Sequence, residues 1–230
     1  GIGKTTIARI LAKCLNCESS SKPTSNPCNK CSNTIEITSG RSVDFLEIDA
    51  ASNTQVEKIR DLIETVEYKP AKGRFKIYLI DEVHMLSKAS FNALLKTLEE
   101  PPPHVVFLFA TTNPEMIPKT VQSRCLQLNL KTVNDELLIE HFRKILTSEK
   151  IKFDEDSISL IANSANGSVR DGLTLLDQAI AFGNGKLVKE EVGTLLGTID
   201  NSIIFELLES VIDGDGNKTF NTLAKIEELL

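Results

Sequence analysis

The chain opens on GIGKTT, and Gly3-Lys4-Thr5 is the closing triplet of the phosphate-binding pattern G-x-x-x-x-G-K-[ST]. Glycines such as Gly1 and Gly3 let backbone N–H groups approach phosphate oxygens, and a helix starting there turns its positive end to the same anion. In that chemistry Lys4 reaches the β- and γ-phosphates, the Thr5 hydroxyl ligates Mg2+, and Thr6 follows in the first helical turn. The pattern's first glycine belongs five residues before Gly3, where this sequence has nothing. Taken alone, the triplet fits a chance GKT ahead of a helix equally well. A second motif decides between the two. IYLIDEVH is an apolar strand ending in Asp81 and Glu82. At the carboxyl end of a buried parallel strand an acid points into the crevice where ligands bind. There Asp81 holds Mg2+ and Glu82 polarises the attacking water, whereas the alternative is a solvated acidic turn. A GKT helix start followed in order by an apolar strand and Asp-Glu predicts a P-loop NTPase that uses ATP and Mg2+.

Three further stretches carry polar residues at places where such chemistry needs them. In FATTNP an apolar run leads into Thr111, Thr112 and Asn113. A polar group there sits between the acids and the γ-phosphate, or the stretch is an ordinary Asn-Pro turn. In QSRC, Arg124 is either a surface arginine or a finger that stabilises transition-state charge, often in a neighbouring subunit. In GSVRDGL, Ser168 reads as a helix N-cap that puts Arg170 in the first turn. Positive charge is disfavoured at that end, so Arg170 calls for an anion, either Asp171 or a nucleotide phosphate.

The cysteines pose a separate question. CLNC supplies Cys14 and Cys17, CNKC supplies Cys28 and Cys31, and Cys125 stands far away. Two C-x-x-C pairs in a chain without secretory features favour metal over disulfides. Four soft thiolates close a tetrahedral Zn2+ site with a structural role. The alternative is a set of reduced free thiols.

These residues need an α/β scaffold to position them. Apolar runs at 43–49, 75–81 and 105–112 predict buried strands, and CLQLNL at 125–130 alternates as a fourth. Helical patterns at 53–67 and 88–99 separate them, which argues for a parallel sheet covered by helices. The first helix carries Ile7, Ile10, Leu11 and Leu15 on one side, and the polar stretch ESSSKPTSNP reads as an excursion after it. From about Val133 the strand signals stop, and DELLIEHFRKIL, SISLIANSA, VRDGLTLLDQAIAF and KEEVGTLL read as short amphipathic helices. One further helical segment starts near Asn201 and runs to Leu230 without a stop signal. A domain boundary is therefore expected near Lys131–Asn134. With 41% hydrophobic and 25% charged residues the composition is that of an ordinary soluble globular chain. Apolar runs such as VVFLFA are too short to span a bilayer, so no membrane role is expected. The net charge of -6 leaves nucleic-acid contact to local basic surface.

With GKTT, LIDEVHMLSKASFNALLKTLEEPP, ATTNPEMIPKTVQSRC and GSVRDGLTLLDQAI in order, the chain resembles the gamma/tau subunits of bacterial DNA polymerase III over essentially its whole length. That family comprises the ATP-driven AAA+ motors of the sliding-clamp loader. The resemblance implies an AAA+ nucleotide-binding domain over 1–132 with a zinc-binding insertion at about 14–34. A helical lid over 133–198 and the start of an oligomerising helical collar over 199–230 follow. It gives Lys4, Thr5, Asp81 and Glu82 the Walker roles, Thr112 the sensor-1 role and Arg170 the sensor-2 role, and makes Arg124 the arginine finger toward a neighbour's ATP. It implies a cytoplasmic bacterial ATPase in the polymerase holoenzyme, without polymerase chemistry of its own. Its partners would be other loader subunits, the sliding clamp and primed DNA. It further implies that the chain begins some tens of residues late, without the first strand and the first loop glycine. The family's zinc cysteines match Cys17, Cys28, Cys31 and the position of Thr34, so Cys14 is expected as the substitute fourth ligand. Two rival functions remain: a non-hydrolysing loader subunit, which intact Lys4, Asp81 and Glu82 argue against, and a Holliday-junction or helicase motor, which the cysteine insertion and SRC argue against.

Overall fold

This computed structural model describes residues 2–52, 56–197 and 201–229. The chain divides into two compact units, one over Gly3–Leu130 and the other chiefly from Lys131 onward. In the first unit α1 (Lys4–Asn16) and α2 (Ser32–Thr38) lead into β1 (Phe45–Asp49), α3 (Val56–Val66), β2 (Lys76–Asp81), α4 (Lys88–Glu99), β3 (Val105–Phe109) and the short α5 (Lys119–Gln122). The strands form a parallel sheet in the order β1-β2-β3, with Asp49 opposite Asp81 and Ile80 opposite Phe109.

The continuous apolar run of β2 has a direct structural cause. Side chains alternate across a strand, and this strand has a hydrophobic layer on each face. Ile77 and Leu79 pack with Ala8, Ala12 and Ile37 on one side. Ile80 packs with Ile59, Phe91 and Leu94 on the other, where Tyr78 meets Leu62 and Val66. A parallel strand covered on both faces has no polar position until it ends, and β2 ends at Asp81.

Several expectations need correction. Ile7, Ile10 and Leu11 of α1 are exposed, and the helix rests on the sheet through Ala8 and Ala12, with Leu15 at the margin of the same layer. The small alanine side lets the helix lie close, so the bulkier aliphatic face is left outward. Residues 125–130 form no strand. Leu126 and Leu128 are 86% and 71% exposed, and among the described residues no strand lies beside them to take their N–H and C=O groups. Alternation without a pairing edge is not enough to make a strand. The strand expected over 105–112 stops at Phe109, and the helix expected over 53–67 is α3, residues 53–55 lying outside the described residues.

The second unit packs α6 (Asp135–Ser148), α7 (Glu155–Ser164), α8 (Val169–Phe182) and α9 (Lys189–Leu196) around Leu138, Phe142, Leu146, Ile158, Ile161 and Leu176. The two-residue strands β4 (Lys152–Phe153) and β5 (Lys186–Leu187) pair in parallel beside them. Asn134, Asp154 and Ser168 each accept an N–H from the first turn of the helix they precede, which fixes where α6, α7 and α8 begin. The segment expected as one helix from Asn201 is two, α10 (Asn201–Ile212) and α11 (Gly216–Leu229). The side chain of Asp215 caps the second by accepting from the Lys218 amide at 3.0 Å.

One buried carboxylate anchors the approach to the sheet. Asp44, just ahead of β1, is 3% exposed and accepts from the amides of Ala71, Lys72 and Gly73, each at 2.7 Å. It closes the loop before β2 onto the start of β1. Asp44→Ala strands three amides and is expected to lower stability by about 3 kcal/mol, given about 1–3 kcal/mol for a buried group left unsatisfied. Urea denaturation measures it, and a loss under about 0.5 kcal/mol, the usual size of a neutral surface change, would refute the account.

Candidate active site

Gly3 caps α1 in the left-handed region, with φ 89° and ψ 23°, a conformation that suits glycine. The turn it makes starts the helix at Lys4, so Lys4 and Thr5 lie in the first turn beside the helix's positive end. Both face the carboxyl end of β2. The Thr5 hydroxyl donates to Asp81 Oδ2 at 2.7 Å, and Lys4 Nζ pairs with Glu82 Oε1 at 3.2 Å. Thr6 is exposed in the same turn, and Gly1 lies outside the described residues.

Glu82 is held in an unusual backbone state, φ 47° and ψ 45°, which non-glycine residues adopt rarely. Its amide donates to Asp81 Oδ1 at 3.0 Å. Its other carboxylate oxygen, Oε2, accepts from the Thr112 amide at 3.3 Å and the Thr112 hydroxyl at 3.2 Å. Strained residues held in this way cluster at functional sites. Thr112 is therefore brought to the acids, whereas Asn113 turns aside, its side-chain amide toward Met116 Sδ at 3.8 Å. Sequence reasoning missed His84. The single 3-10 turn Val83–Met85 swings its ring back over the site, with Nδ1 at 3.4 Å from Glu82 Oε2 and 2.9 Å from Thr111 Oγ1. The available signal was its place two residues after Glu82 and three past the end of β2.

Chemically, the site joins a cation and a helix N-terminus, which suit phosphate, to an acid pair that suits a divalent ion and an attacking water. Arg124 is not brought to it. Its guanidinium donates to Thr120 O and to Glu99 Oε1, each at 2.6 Å. Arg170 belongs to the other unit, exposed in the first turn of α8. There Ser168, which accepts from the Asp171 amide at 3.2 Å, caps the helix. The Asp171 carboxyl is held below its ordinary range by the Ser168 hydroxyl first, with Arg170 contributing.

A second constellation lies where α1 ends. The Sγ atoms of Cys17, Cys28 and Cys31 all lie within 4.8 Å of one another. Cys17 Sγ accepts from the Cys28 amide at 3.3 Å and lies 3.0 Å from Ser19 Oγ, while Cys28 Sγ accepts from the Cys31 amide at 3.3 Å. Donors around sulfur favour the thiolate. The Cys28 thiol is lowered to about 6, first by the Lys30 amide and then by that of Cys31. Three such sulfurs fit a tetrahedral metal, whose Zn–S bonds of about 2.3 Å set sulfurs about 3.8 Å apart. The expected fourth ligand is not among them. Cys14 Sγ instead faces Ser25 O at 3.9 Å. Residues i and i+3 share a helix face only while the helix continues, and Cys17 has left it with φ -63° and ψ 124°.

The first 134 residues match the family profile described as "DNA polymerase III, delta subunit", and residues 138–185 match "DNA polymerase III clamp loader subunit, ATPase lid domain". The chain belongs to the DNA polymerase III clamp-loader family. It is 52% identical over 223 residues to DNA polymerase III subunit tau of Salmonella typhimurium, covering 97% of this chain and 34% of that one. With DNA polymerase III subunit gamma of Buchnera aphidicola from Acyrthosiphon pisum it shares 49% over 229 residues, 100% of this chain and 63% of the relative. The chain thus spans about a third of its tau relatives. Among solved structures, the RuvB Holliday junction branch migration motor of Thermotoga maritima superposes with a TM-score of 0.58 at 16% identity, over 92% of this chain and 65% of that one. This likeness shows a shared AAA+ fold of parallel sheet and helical lid, and nothing about the substrate.

Within this clamp-loader fold, the pair Arg124–Glu99 is a third to a half exposed. Exposed pairs contribute about 0–1 kcal/mol, so Arg124→Ala should move the unfolding free energy by less than about 1 kcal/mol. A larger loss in denaturant titration would give this arginine a structural role.

Proposed function

We propose that this chain is the ATP-binding and hydrolysing motor portion of a clamp-loader subunit, which loads a sliding clamp onto primed DNA during replication. The observation that carries the reading is the double pairing of Lys4 with Glu82 and Thr5 with Asp81 at the end of β2. It joins a phosphate-binding helix start to an acid pair, as nucleotide hydrolysis requires. In this reading the first unit is the nucleotide-binding domain, 133–198 the lid and 199–230 the beginning of an oligomerising collar. Gly1, Gly3, Lys4 and Thr6 contact the phosphates. Thr5 and Asp81 hold Mg2+, which supplies charge neutralisation at the β- and γ-oxygens. Glu82 orients and deprotonates the attacking water. Thr112, hydrogen-bonded to Glu82, senses the γ-phosphate, and Arg170 meets the nucleotide from the lid. Arg124 acts in trans, in keeping with its position away from the Lys4–Glu82 pair of its own subunit. The other loader subunits, the clamp and primed DNA are its partners, and the setting is the bacterial cytoplasm. The cluster of Cys17, Cys28 and Cys31 holds a structural Zn2+, which ties the excursion after α1 to α2.

ATP turnover by the full-length protein, with and without clamp and primed DNA, tests the reading, and turnover indifferent to both would refute it. Lys4→Ala should abolish measurable nucleotide binding in a titration, with assembly retained, and unchanged affinity would remove Lys4 from the site. Glu82→Gln should keep binding while turnover falls by on the order of 10²-fold or more, the usual contribution of a positioned base.

Arg124→Ala separates a finger from a surface arginine. Binding to its own subunit should persist, and hydrolysis in the assembled complex should fall by roughly 10³-fold or more, the range of an arginine finger. A change of about twofold, against that scale, would leave Arg124 as the partner of Glu99 and nothing more.

A further inference from the structure

We infer that the cysteine cluster is a three-thiolate site whose fourth metal ligand is an oxygen, so the metal keeps one exchangeable position. The inference rests on the zinc reading above and concerns what completes the coordination. Among the described residues, no histidine, carboxylate or further cysteine joins Cys17, Cys28 and Cys31 within ligand distance. Glu18, the nearest acid in sequence to Cys17, is engaged by the Asn33 amide at 3.3 Å.

Cys14 is kept out by the way α1 ends. Arg74 donates to the carbonyls of Leu15, Cys17 and Ser20 at 3.0, 2.9 and 2.7 Å. Asn16, 2% exposed, bonds both the amide and the carbonyl of Phe75, at 2.9 and 2.8 Å, and its own carbonyl accepts from Asn33 at 3.1 Å. Gly73 leaves room for that side chain, since a Cβ there would lie 2.7–3.0 Å from the Asn16 carboxamide. Bringing the Cys14 sulfur round to the other three would require rewinding this last turn and breaking these bonds.

Two hydroxyls adjoin the sulfurs: that of Ser19, at 3.0 Å from Cys17 Sγ, and that of Thr34. Thr34 is fully buried in the first turn of α2, with Oγ1 3.2 Å from Cys31 Sγ and donating to Cys31 O at 3.0 Å. Its hydroxyl donates to a carbonyl, which leaves the oxygen as an acceptor beside Cys31 Sγ. A neutral alcohol binds zinc far more weakly than a thiolate. The fourth corner is therefore an oxygen, that of the Thr34 or Ser19 hydroxyl or of a water against them, which a stronger monodentate ligand can displace.

X-ray absorption on the zinc-loaded full-length protein reads the ligand set without any substitution. The expected result is three sulfurs at about 2.3 Å and one lighter atom at about 2.0–2.1 Å. Four sulfurs would overturn the inference while leaving the zinc reading intact. A purified protein that holds no zinc and takes up no Co2+ would overturn both. In the Co2+-substituted protein, Cys14→Ser should leave the thiolate charge-transfer bands unchanged, and loss of one sulfur's share would overturn the inference. Added imidazole should shift the parent spectrum and not that of Thr34→Cys; an unmoved parent spectrum counts against an exchangeable ligand. Thr34→Cys should also slow metal removal by a chelator by on the order of tenfold or more, since even outer-shell partners are worth 10–100-fold in affinity.

Discussion

The pairing of β2 with a strand on each side leaves its four central residues, Ile77 to Ile80, sealed between two hydrophobic layers. No polar chemistry can occupy that span, because a buried charge without a partner costs several kcal/mol. Function is therefore pushed to the strand's carboxyl end, where Asp81 stands level with Asp49 of β1 and just beyond Phe109 of β3. The backbone carries the register past the last strand residues: Ala50 donates to Asp81 O, Ala110 to Ile80 O, and Val83 to Ala110 O. Those three bonds fix the height at which Glu82 leaves the sheet and at which Thr111 and Thr112 arrive beside it. The helix start at Gly3 then needs only to place Lys4 and Thr5 over that edge, and the alanine side of α1, packed on Ile77 and Leu79, sets its distance.

The same helix serves a second purpose at its other end. Asn16 and Arg74 bind the last turn of α1 to the start of β2 through backbone groups, so Cys17 emerges from a rigid platform. Its sulfur can meet the amide of Cys28 because the helix stops there and nowhere else. One helix thus connects the phosphate-facing end of the sheet with the thiol cluster, and the anchor at each end is a hydrogen-bonded side chain and not an apolar contact. Asp44 plays a comparable part for the loop that carries Gly73 and Arg74.

Much of this was readable before any coordinates. The central strands follow from unbroken apolar runs, which only a doubly covered sheet uses, and α4 follows from the helical pattern at 88–99. The helices α6 to α9 follow from amphipathic spacing, with Ser168 legible as the N-cap of α8. The meeting of Lys4 and Thr5 with Asp81 and Glu82 was legible because motif order and strand direction leave few alternatives. What failed depends on distant partners. Residues 125–130 alternate correctly, but pairing is a property of two segments and the sequence displays one. The outward face of α1 could not be told from the inward one, since both alanines and aliphatics repeat at helical spacing. Cys14 lies apart from the other three cysteines, which the sequence could not show because C-x-x-C spacing says nothing of whether both cysteines remain in the helix. His84 escaped because its approach to Glu82 depends on a left-handed residue followed by a 3-10 turn, which no residue type there announces.

That left-handed residue also sets what the Glu82 carboxylate can reach. Glu82 shares its two carboxylate oxygens among Lys4 on one side and Thr112 and His84 on the other. In this arrangement the group proposed as base is paired with the cation proposed to hold phosphate. A γ-phosphate carries more charge than one carboxylate and offers Lys4 a second set of acceptors along the helix axis, where the α1 dipole adds to the attraction. In the proposed function, such an anion would draw Lys4 from Glu82, while the carboxylate could keep its hydrogen bonds to Thr112. Occupation of the phosphate site and release of the proposed base would then be linked, because one amine cannot serve both partners at close range. Holding Glu82 at positive φ aims its carboxylate at that shared point, since an extended residue 82 would follow the strand's alternation to the face opposite Ile77 and Leu79, away from α1.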